Sequence, residues 1–286
     1  MNQQPLQFAL DPGTSQYVTY YEGTLPLVLA APHGGRLFPS NIPDRKLENG
    51  TITVTDAYTK DVALGIARKL YEKTGDIPHI VILQLARTKV DVNRDKLEGS
   101  DSTAGREVWQ EYHDTIKRAI AKINANYDHG MFVDIHGHGH PENWIELGYL
   151  LDNYTLKYSD EDLYERNVAS TSSIRSLSQR YPDIAFSSFL RGNNSIGNRL
   201  SVKHRLKTTP SRSLPYPHRN QKYFFGGYCT QTYGSKNGGG IDAIQIELPK
   251  NLRFQKAGRE SVIAALSESL MWMLCMFYHD EYRAKM

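Results

Sequence analysis

Long apolar runs and stretches of helical period alternate along most of this chain. Leu25-Pro26-Leu27-Val28-Leu29-Ala30-Ala31 and Ile80-Val81-Ile82-Leu83-Gln84-Leu85-Ala86 are nearly continuous in apolar side chains, which predicts strands buried on both faces. Gly130-Met131-Phe132-Val133-Asp134-Ile135-His136 reads as a third strand, and Asp242-Ala243-Ile244-Gln245-Ile246-Glu247-Leu248, ended by Pro249, as another. Between them, Val62, Ala63, Ile66, Ala67 and Leu70 recur at helical spacing within 56–71, with Thr55 or Asp56 placed to cap the helix start. Tyr112, Ile116, Ile120 and Ile123 form one stripe of a helix over 109–127. His113 lies off that stripe and reads as a surface histidine, or one that supports a site from behind, rather than a ligand. A last helix over 259–278 closes the core. Strands alternating with helices argue for a mostly parallel sheet whose carboxyl edge gathers the functional groups.

Two regions are less regular. Residues 1–24 are polar and tyrosine-rich, as in a hairpin or an arm. Residues 141–222 suggest a strand at Gly148-Tyr149-Leu150-Leu151, a helix over 168–181 and a polar loop over 193–220 containing Pro210, Pro215 and Pro217. A loop of that length suits a lid. The expectation is one domain, 1–286, with 141–222 inserted over the site and Arg199 among its substrate-facing residues.

Composition narrows the function classes. The 286 residues are 40% apolar, enough for a sizeable core. A net charge of +3, from 34 Lys+Arg against 31 Asp+Glu, is too small to argue for a nucleic-acid surface. Cys229 and Cys275 make no CxxC pair or disulfide framework. The first residues lack the basic start and apolar centre of a signal peptide, and the apolar run 270–277 is too short to span a bilayer. A cytoplasmic protein acting on a small molecule is expected, with no nucleic-acid or membrane partner and with the oligomeric state open.

The chemistry gathers at predicted strand ends. In Asp134-Ile135-His136-Gly137-His138-Gly139-His140, the side chains of Asp134, His136 and His138 share one face of an extended strand, opposite Val133 and Ile135. A ligand histidine needs an acceptor for its other ring nitrogen, and Asp134 is placed to supply it. Glycines 137 and 139 allow a sharp turn at the strand end. His138 is then a supporting or substrate-facing residue, and His140 a loop residue. Pro32-His33-Gly34-Gly35 ends the first buried run, and Asp56 is either a helix cap or a site residue. Arg87 and Arg94 follow strand-like segments, where guanidinium groups suit a substrate carboxylate or a developing oxyanion. Glu247 is costly to bury late in an apolar strand unless it is paired or functional. Catalytic zinc takes three N/O protein ligands plus water. His33, His136 and a carboxylate meet that need, with Glu247 as general base and Arg87 facing the oxyanion. A serine hydrolase is disfavoured by the absence of a G-x-S-x-G elbow.

Six motifs, in this order, carry a resemblance: Pro32-His33-Gly34-Gly35, Thr55-Asp56, Val90-Asp91-Val92-Asn93-Arg94, Asp134-Ile135-His136, Phe225-Gly226-Gly227-Tyr228 and Ala243-Ile244-Gln245-Ile246-Glu247. The set resembles the N-formylglutamate amidohydrolase family, which is related to the zinc carboxypeptidases. The resemblance implies a three-layer α/β/α fold with a mixed, mostly parallel central sheet, as in the zinc carboxypeptidases and the phosphorylase/hydrolase-like folds. It also implies a single Zn2+ held by His33 and His136, Glu247 as general base, and Asn93 and Arg94 on a substrate carboxylate. The carboxypeptidases place a glutamate three residues after the first ligand histidine, where this chain has Arg36. Asp56 is therefore the expected third ligand, with Asp61 or His138 as alternatives. The expected activity is hydrolysis of the C–N amide bond of a small N-acyl or N-formyl amino acid such as N-formylglutamate. A carboxypeptidase-like metallopeptidase and a non-catalytic binding protein on the same scaffold are the alternatives.

Overall fold

The computed structural model describes residues 15–48, 50–218 and 220–279. Its centre is a seven-stranded sheet in the order β1-β3-β2-β4-β7-β5-β6. The strands are β1 (Val18–Tyr21), β2 (Leu27–Ala31), β3 (His79–Leu83), β4 (Gly130–Gly137), β5 (Ile145–Gly148), β6 (Thr208–Thr209) and β7 (Ile241–Leu248). Strands β3, β2, β4 and β7 are parallel neighbours, whereas β1 pairs antiparallel with β3 and β5 antiparallel with β7. The sheet is therefore mostly parallel, as the alternation of strands and helices predicts, and mixed, as the family resemblance implies. The described part of the N-terminal arm supplies its edge strand β1; the rest of that arm lies outside the described residues.

Side-chain parity along the strands explains why their apolar runs are continuous. Leu27, Leu29 and Ala31 of β2 and Met131, Val133 and Ile135 of β4 enter a core with Val62, Ile66 and Leu70 of the helix Thr59–Thr74 and Leu266 and Leu270 of the helix Lys256–Met273. The alternate residues Val28, Ala30 and Phe132 enter a second core with Val108, Tyr112, Ile116 and Ile123 of the helix Thr103–Asn126. Each face of the sheet is thus covered, giving three layers, and neither face needs polar alternation.

The C-terminal helix, with its continuation to Tyr278, is the one described helix long and apolar enough to cross a membrane. Its apolar stretch is 67% buried inside the protein, against the helices Thr59–Thr74 and Ile196–Val202 among others. His113 is 1% exposed rather than a surface residue. Its Nε2 bonds the Val92 carbonyl and its Nδ1 bonds the Tyr233 hydroxyl, so it joins helix to loop inside the second core.

The described residues of 141–222 contribute to the body of the fold. They supply β5 and β6, and Leu147, Leu163, Leu177, Phe189 and Leu200 fill the first core. The predicted strand at 148–151 is displaced, since β5 ends at Gly148 where the prediction begins, and the predicted helix over 168–181 is broken into Val168–Thr171 and Arg175–Arg180. Within the predicted polar loop lie the helix Ile196–Val202 and β6. The tertiary contacts of these short pieces stabilise them where local periodicity is too brief to register.

Candidate active site

The site opens at the carboxyl edge of the parallel strands, where β2, β4 and β7 end. His33 follows β2, His136 closes β4 and Glu247 closes β7. Asp134 and Gln245 are paired in register across β4 and β7, and His136 and Glu247 are paired one step further. All four project toward the same side of the sheet because residues two apart on a strand share a face. Asp56 approaches from the loop before the Thr59–Thr74 helix. It does not cap that helix with its side chain, since the helix is entered through Tyr58 in the left-handed region (φ 70°). Asp56 contributes its backbone carbonyl to Thr59 instead and leaves the carboxylate free for the site. That carboxylate accepts a bond from the Gly137 amide at 3.1 Å.

The two histidines are held alike. His33 Nε2 bonds Asp91 at 2.8 Å and His136 Nε2 bonds Asp134 at 2.8 Å, which turns both Nδ1 atoms toward Asp56. Asp56 Oδ2 lies 3.4 Å from His33 Nδ1 and 3.3 Å from His136 Nδ1. The three donor atoms all lie within 4.8 Å of one another, and all three residues are buried. Two donors on a tetrahedral zinc, with bonds of about 2.0–2.1 Å, stand about 3.3 Å apart. His33 Nδ1 is buried without a hydrogen-bond partner, a costly position for a polar atom unless another group completes it. The donor set, its separations and this orphaned nitrogen fit a zinc ion. Asp61, by contrast, is exposed on the outer side of its helix. Both ring nitrogens of His138 are engaged, by the Trp144 carbonyl and the His140 amide.

Electrostatics follow the geometry. Burial acts to raise the Asp56 carboxyl, but the bond from His136 and the adjacent His33 ring hold it well below the usual carboxylate range. Burial likewise opposes the low value of Asp91, where His33, Arg87 and Arg94 prevail. For His136, burial disfavours the charged ring, yet Asp134 and Asp56 raise it well above the ordinary histidine value. The Glu247 carboxyl is pushed up to about 8: burial raises it, His136 pulls it down, and Asp56 and Glu146 raise it further. Its Oε1 accepts from Gln245 at 3.0 Å, while its Oε2 is buried without a partner.

The cleft over this floor has a volume of about 500 Å³ and is lined by Asp56, Arg87, Asn93, Arg94, His136, His138 and Glu247, among others. Arg87 is partly committed, with Nε on Asp91 at 2.9 Å and Nη1 3.9 Å from Asp56. Asn93 Oδ1 accepts the Cys229 amide at 2.9 Å, and its Nδ2 stands 3.4 Å from His136 Nε2. Gly227 is required there, because a Cβ would meet the Asn93 amide at 2.3 Å. Arg94 is half-buried and has one Nη on the Asn93 carbonyl at 2.9 Å.

Arg199 must be removed from the candidate set. It lies on the helix Ile196–Val202, with its guanidinium 4.3 Å from the Trp272 ring, and it does not line the cleft. That helix packs against the C-terminal helix, and none of the described residues of 141–222 lines the cleft.

Three site features escaped sequence reasoning. Arg253 donates to the carbonyls of Leu248, Ala57 and His138, tying together the chain segments that carry Glu247, Asp56 and His136. Gly137 remains in β4 rather than turning the chain; a Cβ there would meet the Arg253 guanidinium at 2.2 Å. His140 lines the cleft instead of lying idle in a loop, with Nδ1 2.8 Å from fully buried Glu146. His138, His140 and Glu146 also cluster within 4.8 Å. The Glu146 oxygens there are taken by His140, the Trp144 indole and the Phe224 amide, so the cluster is a closed hydrogen-bond network.

The fold is shared with a solved structure. N-formylglutamate amidohydrolase from Ralstonia eutropha matches with a TM-score of 0.54 at 12% identity, over 94% of this chain and 99% of that one. A gene product of Agrobacterium tumefaciens matches at 0.49 and 15% identity, over 90% and 93% of the respective chains. N-acetylmuramoyl-L-alanine amidase from Clostridium difficile overlaps more loosely, at 0.35 and 14%, over 87% and 97%. The sequence matches no family model and no curated protein. At these identities the first likeness establishes the α/β architecture.

Proposed function

We propose that this protein hydrolyses the C–N amide bond of a small N-acylated amino acid with a free carboxylate, using zinc held by His33, Asp56 and His136. The observation that carries the reading is the convergence of three buried donor atoms beside Glu247, which shares the register of His136 and keeps one carboxylate oxygen unpartnered. A bound zinc supplies Lewis acidity, polarising the scissile carbonyl and lowering the pKa of water toward ~7. Glu247 takes the proton from the attacking water and returns it to the departing nitrogen. Gln245 fixes the rotamer of Glu247 through the bond to Oε1. Arg87 places positive charge beside the position where the oxyanion forms, and Arg94 pairs with the substrate carboxylate. A cleft of about 500 Å³ suits a small molecule. The fold shared with an N-formylglutamate amidohydrolase supports the same reaction class.

Metal analysis of the purified protein, followed by assay on N-formyl and N-acetyl amino acids and on short peptides, tests this reading. About one zinc per chain and turnover of the acyl amino acids are expected. Glu247→Gln should keep the zinc and lose about 10²–10⁴-fold in kcat. Unchanged activity in that variant would exclude the general-base role.

A further inference from the structure

The cleft has two chemically distinct zones. Its floor is the buried polar set just described, whereas Ile52, Val54, Phe224 and Phe254 line the same cavity nearer its mouth. These four remain between 37% and 72% exposed. A large apolar side chain left singly in water is ordinary, but several around one concavity mark a surface that a ligand covers.

Both aromatic members are braced. Glu146 Oε2 accepts the Phe224 amide at 2.7 Å, and its Oε1 accepts His140 Nδ1 at 2.8 Å. The His140 ring stacks on Phe224 with centroids 4.7 Å apart and an interplanar angle of 28°. On the Asp56 side, Phe254 meets the Tyr58 ring edge-on at 5.3 Å. The apolar zone is therefore held in place before any substrate arrives, which limits the ordering cost of binding.

The cations of the cleft decide whether a second carboxylate competes for this zone. Arg253 is spent on three backbone carbonyls, and Arg87 is partly held by Asp91 and otherwise assigned to the oxyanion. Arg94 is assigned to the carboxylate every such substrate carries, and exposed Lys250 remains. An exposed ion pair to Lys250 is worth at most about fivefold in affinity. Covering a leucine- or phenylalanine-sized group is worth about tenfold or more. Resting on the hydrolase reading above, we propose that the substrate carries an apolar substituent beside the scissile amide, in the amino-acid side chain or the acyl group, in place of a second carboxylate.

Calorimetry on the zinc-loaded Glu247→Gln protein tests this with three probes. N-acetyl-L-phenylalanine places the apolar group on the amino-acid side, N-hexanoylglycine places it on the acyl side, each with a single carboxylate, and N-acetyl-L-glutamate carries a second carboxylate instead. At least one of the first two should bind at least tenfold more tightly than the third, and adding Phe254→Ser or Val54→Ser at these exposed positions should erode that margin. Equal or tighter binding of N-acetyl-L-glutamate, or no measurable binding of any probe, would overturn the proposal. Preferential binding of an apolar probe, with no turnover of any of the three by the zinc-loaded wild-type protein, would overturn the hydrolase reading and leave only the apolar preference of the cleft.

Discussion

The histidines at the carboxyl edge of the sheet and those inside the scaffold are equally hidden from water, yet they are prepared for opposite ends. His33, His136, His79 and His113 are exposed by 0%, 2%, 2% and 1%, so burial does not separate them. Their partners do. His33 and His136 each bond a carboxylate, whereas His79 Nδ1 meets the Tyr20 hydroxyl and His113 the Tyr233 hydroxyl and the Val92 carbonyl. Burial pushes His79 and His113 down to about 4, Glu22 and the Val92 carbonyl respectively opposing the shift. A neutral partner leaves a buried ring neutral, while a carboxylate on Nε2 makes Nδ1 a stronger donor toward a cation.

The most severe way to break this contrast is to remove one ring of each kind. His136→Ala should abolish stoichiometric zinc and bring activity to background, whereas His113→Gln should keep zinc content near that of the wild type. Elemental analysis of both folded variants checks the difference, and the contrast fails if both lose zinc alike. A smaller effect is expected one bond further out. Asp134→Asn preserves the shape beside His136 but removes the charge, and should weaken zinc about 10–100-fold in a chelator competition. An affinity unchanged within twofold would deny the carboxylate its role.

The smallest effect concerns stability. His113 has a depressed value in the folded protein, about 4 against an ordinary 6.5. Above pH 6.5 neither state holds the extra proton and its contribution is intact. As pH falls from 6.5 toward 4 the unfolded chain takes up a proton that the folded chain refuses, so stability declines across that window. His113→Gln should therefore be less stable at pH 7.5 but lose about 2 kcal/mol less than the wild type between pH 7.5 and 4.5. Urea titrations at the two pH values measure this.

Much of the architecture is legible because burial on both faces writes itself into the chain as continuous apolar runs. Strands β2, β3, β4 and β7 and the helix Thr59–Thr74 lie within a few residues of where the pattern places them, and the helix Thr103–Asn126 begins six residues before the predicted 109–127. The region 141–222 is not legible, since β6 is two residues long and its helices are short. Their stability comes from side chains distant in sequence, and no local period records that. At the site, histidines and carboxylates at strand ends can be read directly, and the structure brings His33, Asp56 and His136 together. The roles of Asp91, Arg253 and Glu146 cannot be read in the same way, because each depends on partners that meet only after folding. Arg199 was expected at the site because the length of the polar loop suits a lid, whereas apolar residues scattered through 141–222 pack into the core.

The shared register of His136 and Glu247 has a consequence for how this protein can change. Neighbouring strands stand about 4.8 Å apart wherever their backbones are hydrogen-bonded, so the ladder between β4 and β7 acts as a ruler between a zinc-ligand candidate and the general-base candidate. Side chains at the mouth, such as Val54 and Phe254, lie outside that ladder. Substitutions there can redraw which molecules are accepted while the spacing of the reacting groups stays fixed, and a laboratory lineage selected on new substrates should accumulate its changes at the mouth and leave the ruler untouched.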